Sequence, residues 1–189
     1  IAYYCMLKKD DEKITIVTSD RDLCQLIDDN VRVYLLDLKT YVDKYTFIYY
    51  FKYHYTNVAL MKILCGDNSD SIKGIKRLGE DTLLKHFPEL KERKVTLDER
   101  VNNKKKPLQI FDNIVNSVTD GIQGKDIYQI NTKLIDLTKP LLTEGSIKEM
   151  YHLMNSKLSD DRSIKAVYSM LKKDGIDTLL GEYRYNNYL

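Results

Sequence analysis

The chain of 189 residues contains no tryptophan, and its three cysteines form no CxxC pair. It also lacks any run of the roughly 18 to 20 uncharged apolar residues that a helical membrane span needs. Without paired cysteine spacings there is no basis for a disulfide framework or a zinc site. Cys5, Cys24 and Cys65 are read instead as small buried hydrophobes. Nothing at the start resembles a basic and apolar leader, so a reducing cytoplasm is the expected compartment. There is no internal repeat of solenoid length and no low-complexity tail. An excess of one charge is missing too: 30 Lys and Arg against 28 Asp and Glu leave +2. Attraction to a polyanion therefore has to come from local clusters.

What is present suffices for a folded, soluble protein, since 43% of the residues are hydrophobic. Fifteen tyrosines are a compositional bias whose main role is packing, with Tyr3, Tyr4, Tyr34, Tyr41, Tyr45, Tyr49, Tyr50, Tyr53 and Tyr55 also available to stack on bases. Position 1 is Ile, and IAYYCMLKK reads as the later part of an amphipathic helix with no capping residue before it. The chain is expected to start inside a larger fold.

ITIVT is a β-branched run of strand type, and SDRDLCQLIDD follows as a helix capped by Ser19 or Asp20. VRVYLLD is a second strand, which makes the repeating unit of an α/β sheet, most often parallel. From Lys44 to Cys65 apolar residues recur at helical spacing, and DTLLKHF is a helix that stops near Pro88. The stretch 91–106, KERKVTLDERVNNKKK, is charged and poor in core residues and is expected to be a loop, with Lys104 to Lys106 solvated. PLQIFDNIVNSV, IYQINTKLIDL, SIKEMYHLMNS and RSIKAVYSMLKK then read as helices.

Two acidic pairs carry candidate chemistry. Asp20 and Asp22 leave the carboxyl end of the first strand, where open α/β sheets bind ligands, although a helix cap and a favourable first-turn charge would explain them as well. Asp67 and Asp70 share a face if their segment makes a helical turn, with a capping and turn cluster as the alternative. Carboxylates of this kind suit magnesium, and two ions about 4 Å apart can activate a water and stabilise a leaving oxygen in phosphodiester hydrolysis. GIKRLG, 74–79, reads as a tight glycine-bounded hairpin between two helices. With Lys73, Lys76, Arg77 and Lys85 around it, the hairpin suits a sequence-independent grip on phosphates. His54, His86 and His152 have no ligand-like spacing.

TSDRDLCQLI, VRVYLLD, LCGDNSD and GIKRLG, in this order and spacing across roughly residues 1–90, resemble the 5′ nucleases. These are the flap endonucleases and 5′-3′ exonucleases of bacteriophages and the matching domain of bacterial DNA polymerase I. NTKLIDL at 131–137 is a softer match to phage members. The resemblance implies that Asp20, Asp22, Asp67 and Asp70 are catalytic, as part of a carboxylate cluster that binds two or more Mg2+ or Mn2+ ions. It implies a helix-hairpin-helix element in which Gly74, Ile75, Lys76, Arg77, Gly79, Thr82 and Lys85 hold DNA, often with a K+ ion. Arg77 replaces a usual glycine, Asp81 replaces a common lysine, and the first carboxylates of the family would precede Ile1.

The expected fold is α/β: 1–58 as the carboxyl-terminal part of a mainly parallel-sheet nuclease domain, 59–90 as the helix-hairpin-helix region, 91–106 as a charged loop and 107–189 as a helical region. The expected function is a metal-dependent 5′-3′ exonuclease or flap endonuclease, complete only with an amino-terminal half that a second chain can supply. Its partners would be branched or 5′-ended duplex DNA and RNA-DNA hybrids in replication or repair. The alternatives are a non-catalytic helix-hairpin-helix DNA-binding module and a PIN-like ribonuclease, the latter leaving the hairpin unexplained.

Overall fold

In a computed structural model, the structure describes residues 1–97, 114–157 and 163–176. The chain divides into two compact units, Ile1–Leu141 and Leu142–Leu189. The first unit opens with α1 (Ala2–Leu7), then β1 (Ile14–Thr18), β2 (Val31–Leu35) and β3 (Thr40–Val42). Strand β1 runs parallel to β2 and β2 antiparallel to β3, so the three-stranded sheet is mixed rather than mainly parallel as expected. The reason is local: β3 returns directly after β2 through the short turn containing Lys39, φ +50, and so little chain permits only an antiparallel pair.

Alternation decides which face is covered. Ile16, Val31, Val33, Leu35 and Val42 point into the core, whereas Val17 on the opposite face of β1 is 62% exposed. On that open face Arg32 donates to Thr15 and lies 4.3 Å from the centre of the Tyr41 ring. The link between β1 and β2 is a 3₁₀ helix, Arg21–Leu26, where an α-helix was expected. Leu23 and Leu26 are three apart, which is one full 3₁₀ turn, so the same apolar pattern is served by the tighter helix.

The helix expected across 44–65 is broken. The segment forms a four-residue α2 (Phe47–Tyr50), a 3₁₀ turn (Tyr55–Asn57) and α3 (Val58–Cys65). Asp43 accepts hydrogen bonds from the amides of Tyr45 and Thr46 and starts the first turn. The chain then extends at Phe51 and doubles back, which stacks Phe47 on Phe51 at 4.3 Å and sets Tyr53 beside both. Asn57, fully buried, donates to the carbonyls of Leu90 and Arg93 and accepts from Val95, tying the turn to the segment after α4 (Glu80–His86).

Between α3 and α4 lies an antiparallel ladder of β4 (Gly66–Asp67) and β5 (Ile72–Lys73), followed by the 74–79 loop. Asp67 and Asp70 therefore sit on a β-hairpin and not on a helical turn. The hairpin closes so tightly that a Cβ on Gly74 would lie 2.0 Å from the Cys65 carbonyl oxygen, and one on Gly66, φ +78, 2.3 Å from the Gly74 nitrogen. Behind it packs α5 (Gly124–Ile135), which follows a small ladder of β6 (Val118–Thr119) and β7 (Ile122–Gln123). In the second unit, α6 (Glu144–Asn155) is capped by Thr143 and α7 (Ile164–Lys173) by Ser163, each hydroxyl accepting from the amide three residues on. Lys104 to Lys106 and most of the helix expected over 107–118 lie outside the described residues. No helix of the described residues is long and apolar enough to cross a membrane.

The two glycines of GIKRLG are predicted to respond differently. Gly74→Ala forces backbone apart and is expected to cost about 2 to 4 kcal/mol in urea unfolding. Gly79→Ala meets nothing within 4 Å and is expected to stay within about 0.5 kcal/mol of the parent.

Candidate metal centre

The carboxyl end of β1 delivers Asp20 and Asp22. Asp20 is the N-cap of the 3₁₀ helix, and its Oδ1 accepts from the Asp22 amide at 2.8 Å. This cap turns Asp22 inward toward α3. From the other side, the β4–β5 hairpin brings Asp67 and Asp70. One carboxylate oxygen each from Asp22, Asp67 and Asp70 lie within 4.8 Å of one another. Three of the four expected aspartates thus converge, while Asp20 lines the rim of the same cleft with its carboxylate committed to the cap.

Sequence reasoning missed Lys62. It stands on the last turn of α3, five residues before Asp67, and its ammonium contacts both Asp22 and Asp67. That hydrogen bond, with those from the Ser69 hydroxyl and amide, holds the Asp67 carboxyl down at about pKa 2. The signal was available in principle, because a lysine in the last turn of a helix can reach an acid just beyond it.

Burial sorts the remaining donors. Cys65 also lines the cleft, its thiol pushed up by burial to about 12, but it is outside the three-carboxylate cluster. The clustered donors are carboxylate oxygens, a set that fits a hard divalent cation such as magnesium or manganese. The acidic stretch also differs from a surface cap cluster in its setting: Asp22 and Asp67 side chains are only 18% and 11% exposed.

Two polar clasps set the spacing of the two halves. Gln25, in the same 3₁₀ helix as Asp22, donates to the Ile135 carbonyl and accepts from the Leu137 amide. Asn131, 3% exposed, donates to the carbonyls of Ile63, in α3 before the hairpin that carries Asp67 and Asp70, and of Lys73, at the end of that hairpin. Both clasps land on α5 or its end. The NTKLIDL segment therefore braces the site from behind.

The basic residues expected to meet DNA are distributed as follows. Lys76, Arg77, Gly79 and Lys85 are exposed, Thr82 is half-buried, and Lys73 pairs with Asp120. Ile75 is only 3% exposed and packs with Leu78 in the core, and its amide donates to the Leu64 carbonyl while its own carbonyl accepts from Leu78. Arg77 has φ +66, the left-handed conformation that glycine would adopt without strain. Asp81 holds Lys52 at 3.0 Å.

Curated relatives match in sequence. A 5′-3′ exonuclease of Bacillus subtilis is 41% identical over 100 residues, covering 48% of this chain and 30% of that protein. One of Mycoplasmopsis pulmonis is 35% identical over 88 residues, covering 44% of this chain and 30% of that protein. DNA polymerase I of Caldicellulosiruptor bescii is 34% identical over 145 residues, covering 72% of this chain and 16% of that protein. The chain thus spans less than a third of the length of each of these relatives. A bacteriophage T5 flap endonuclease solved with DNA and metal ions overlays with a TM-score of 0.49 at 15% identity, over 67% of this chain and 44% of that one, a likeness that adds nothing to the sequence match. No family model matches the chain. The resemblance to the 5′ nuclease family is shown by the sequence relatives.

Two outcomes follow from the geometry. Asp67 has a folded pKa depressed from 3.8 to about 2, so its contribution to stability is present above about pH 4 and is lost as pH falls toward 2. Lys62→Met should therefore lower stability above about pH 4 and flatten the fall of a urea-stability profile between about pH 4 and pH 2, and an unchanged profile would contradict the pairing. Arg77→Gly should stabilise the fold by about 1 kcal/mol by relieving the left-handed backbone.

Proposed function

We propose, from the relationship to 5′ nucleases, that this chain carries part of a divalent-metal active site that hydrolyses phosphodiesters near the 5′ ends of DNA or RNA-primed DNA. The observation that carries this reading is the convergence of Asp22, Asp67 and Asp70, from two distant segments, within 4.8 Å. Magnesium or manganese ions held there, with Asp20 at the rim, would supply a polarised water and offset charge on the leaving oxygen. The chain's own residues prepare that place. Lys62 keeps Asp22 and Asp67 facing each other, and Ser69 fixes one Asp67 oxygen. Asn131 and Gln25 hold the two halves in register.

The grip on the duplex is assigned to Gly74, Gly79, Thr82 and the side chains of Lys76, Arg77 and Lys85, in the role of a helix-hairpin-helix element that can also take a K+ ion. Exposed cations around a glycine-bounded loop favour the phosphate backbone over base edges, which gives binding without sequence preference. Flap endonuclease or 5′-3′ exonuclease action on branched or 5′-ended DNA, in the cytoplasm, follows from that pairing of cutting and holding. A further amino-terminal half is part of the proposal. In support, β1 pairs only with β2 among the described residues, and the face bearing Val17 is open, although parallel strands are normally covered on both sides.

The test is cleavage of a 5′-flap duplex with magnesium by the chain combined with its amino-terminal half. Asp67→Ala and Asp70→Ala should each lower cleavage at least about 100-fold while retaining binding. Binding without cutting, indifferent to both substitutions, would leave only a DNA-binding module. Lys76→Ala should weaken binding evenly across sequences and reduce the slope of log affinity against log salt by about one.

A further inference from the structure

The cleft that holds the carboxylates is lined by two kinds of chemistry. Its volume is about 620 Å3, and its lining includes Asp20, Asp67 and Asp70. The same lining includes Phe47, Phe51, Tyr53, Val58 and Met61. Phe47, Tyr53 and Met61 are 1%, 7% and 2% exposed, so they form a rigid backing. Phe51 is half-buried and lies nearly parallel on Phe47, with centroids 4.3 Å apart and planes 16° apart. Over the Phe51 ring stands the Arg21 guanidinium, its Cζ 5.8 Å from the centroid, too far for close stacking. Arg21 is anchored by Asp37 at 2.7 Å, and its side chain is 51% exposed.

A cleft lined by both carboxylates and a stacked aromatic pair matches the two halves of a nucleotide. The phosphate belongs with cations at the carboxylates, and the base belongs on the rings. The volume falls within the usual range for small-molecule sites. Phe47, Tyr53, Val58 and Met61 belong to the core, and the half-buried Phe51 is the ring of this set with surface left to offer the cleft. Aromatic rings accept any base, so such a shelf adds grip without sequence preference.

We propose that Phe51 is a base-stacking shelf: the nucleobase adjoining the phosphate at the carboxylates lies on the Phe51 ring, and the Arg21 guanidinium moves aside to a neighbouring phosphate. The assignment rests on the nuclease reading above. It makes Phe51 a binding residue for the substrate and gives α2, whose interruption places Phe51 there, a function.

The missing tryptophan supplies the probe, because Phe51→Trp creates the only indole in the chain. A 5′-flap duplex, added in calcium buffer, should quench the emission of Phe51→Trp. The same flap with an abasic site at the junction nucleotide should bind about tenfold more weakly to the parent and leave the Phe51→Trp emission unchanged. Phe51→Leu should bind the intact flap about tenfold more weakly and the abasic flap as the parent does. Emission unaffected while fluorescence anisotropy reports a bound flap would overturn the shelf and spare the nuclease reading. Equal weakening of both flaps by Phe51→Leu would do the same. Failure of the parent chain, combined with its amino-terminal half, to bind any flap would remove both.

Discussion

The site depends first on a backbone crossing. Cys65, Gly66 and Gly74 approach so closely that neither glycine has room for a methyl group, and this contact pins the end of α3 against the end of the β4–β5 hairpin. Everything acidic in the second motif hangs from that crossing. Asp67 and Asp70 occupy the loop it closes, and Ile75, whose amide donates to the Leu64 carbonyl, carries the chain on into the core. A methyl at the crossing would push the hairpin away from Asp22, and three carboxylates would become two.

Cohesion across the cleft comes from side-chain amides as well as from the Lys62 charge. Asn131, buried, and Gln25, half-buried, each use their amide groups on backbone atoms of another element, a kind of contact that is costly to leave half-made away from water. Because both meet α5, movement of that helix would be felt by the two acidic motifs together. The softest of the sequence matches, NTKLIDL, turns out to hold this bracing position.

The sequence was legible where periodicity and punctuation agree. Strands β1 and β2, α1, α6 and α7 appear where their patterns put them, and the acids at 22, 67 and 70 converge as expected. It was misleading where one pattern fits two structures. Leu23 and Leu26 satisfy a 3₁₀ turn as well as an α-helix, and the aromatic run after Tyr45 matched a helix while the rings preferred to stack on one another. The β4–β5 ladder was hidden because two residues per strand leave no alternation to read. Lys62 was hidden because its role depends on α3 ending one residue before Gly66, a boundary that periodicity locates poorly.

Lys62 bears on the order of events in the life of the molecule. Three carboxylates this close together, Asp22 and Asp67 half-buried and Asp70 exposed, would repel one another and pull their segments apart, but one ammonium between two of them leaves −2 in place of −3. The hairpin and the 3₁₀ helix can therefore assume their final places with a counter-charge the chain carries itself. A newly made chain need not wait for an outside cation to finish folding.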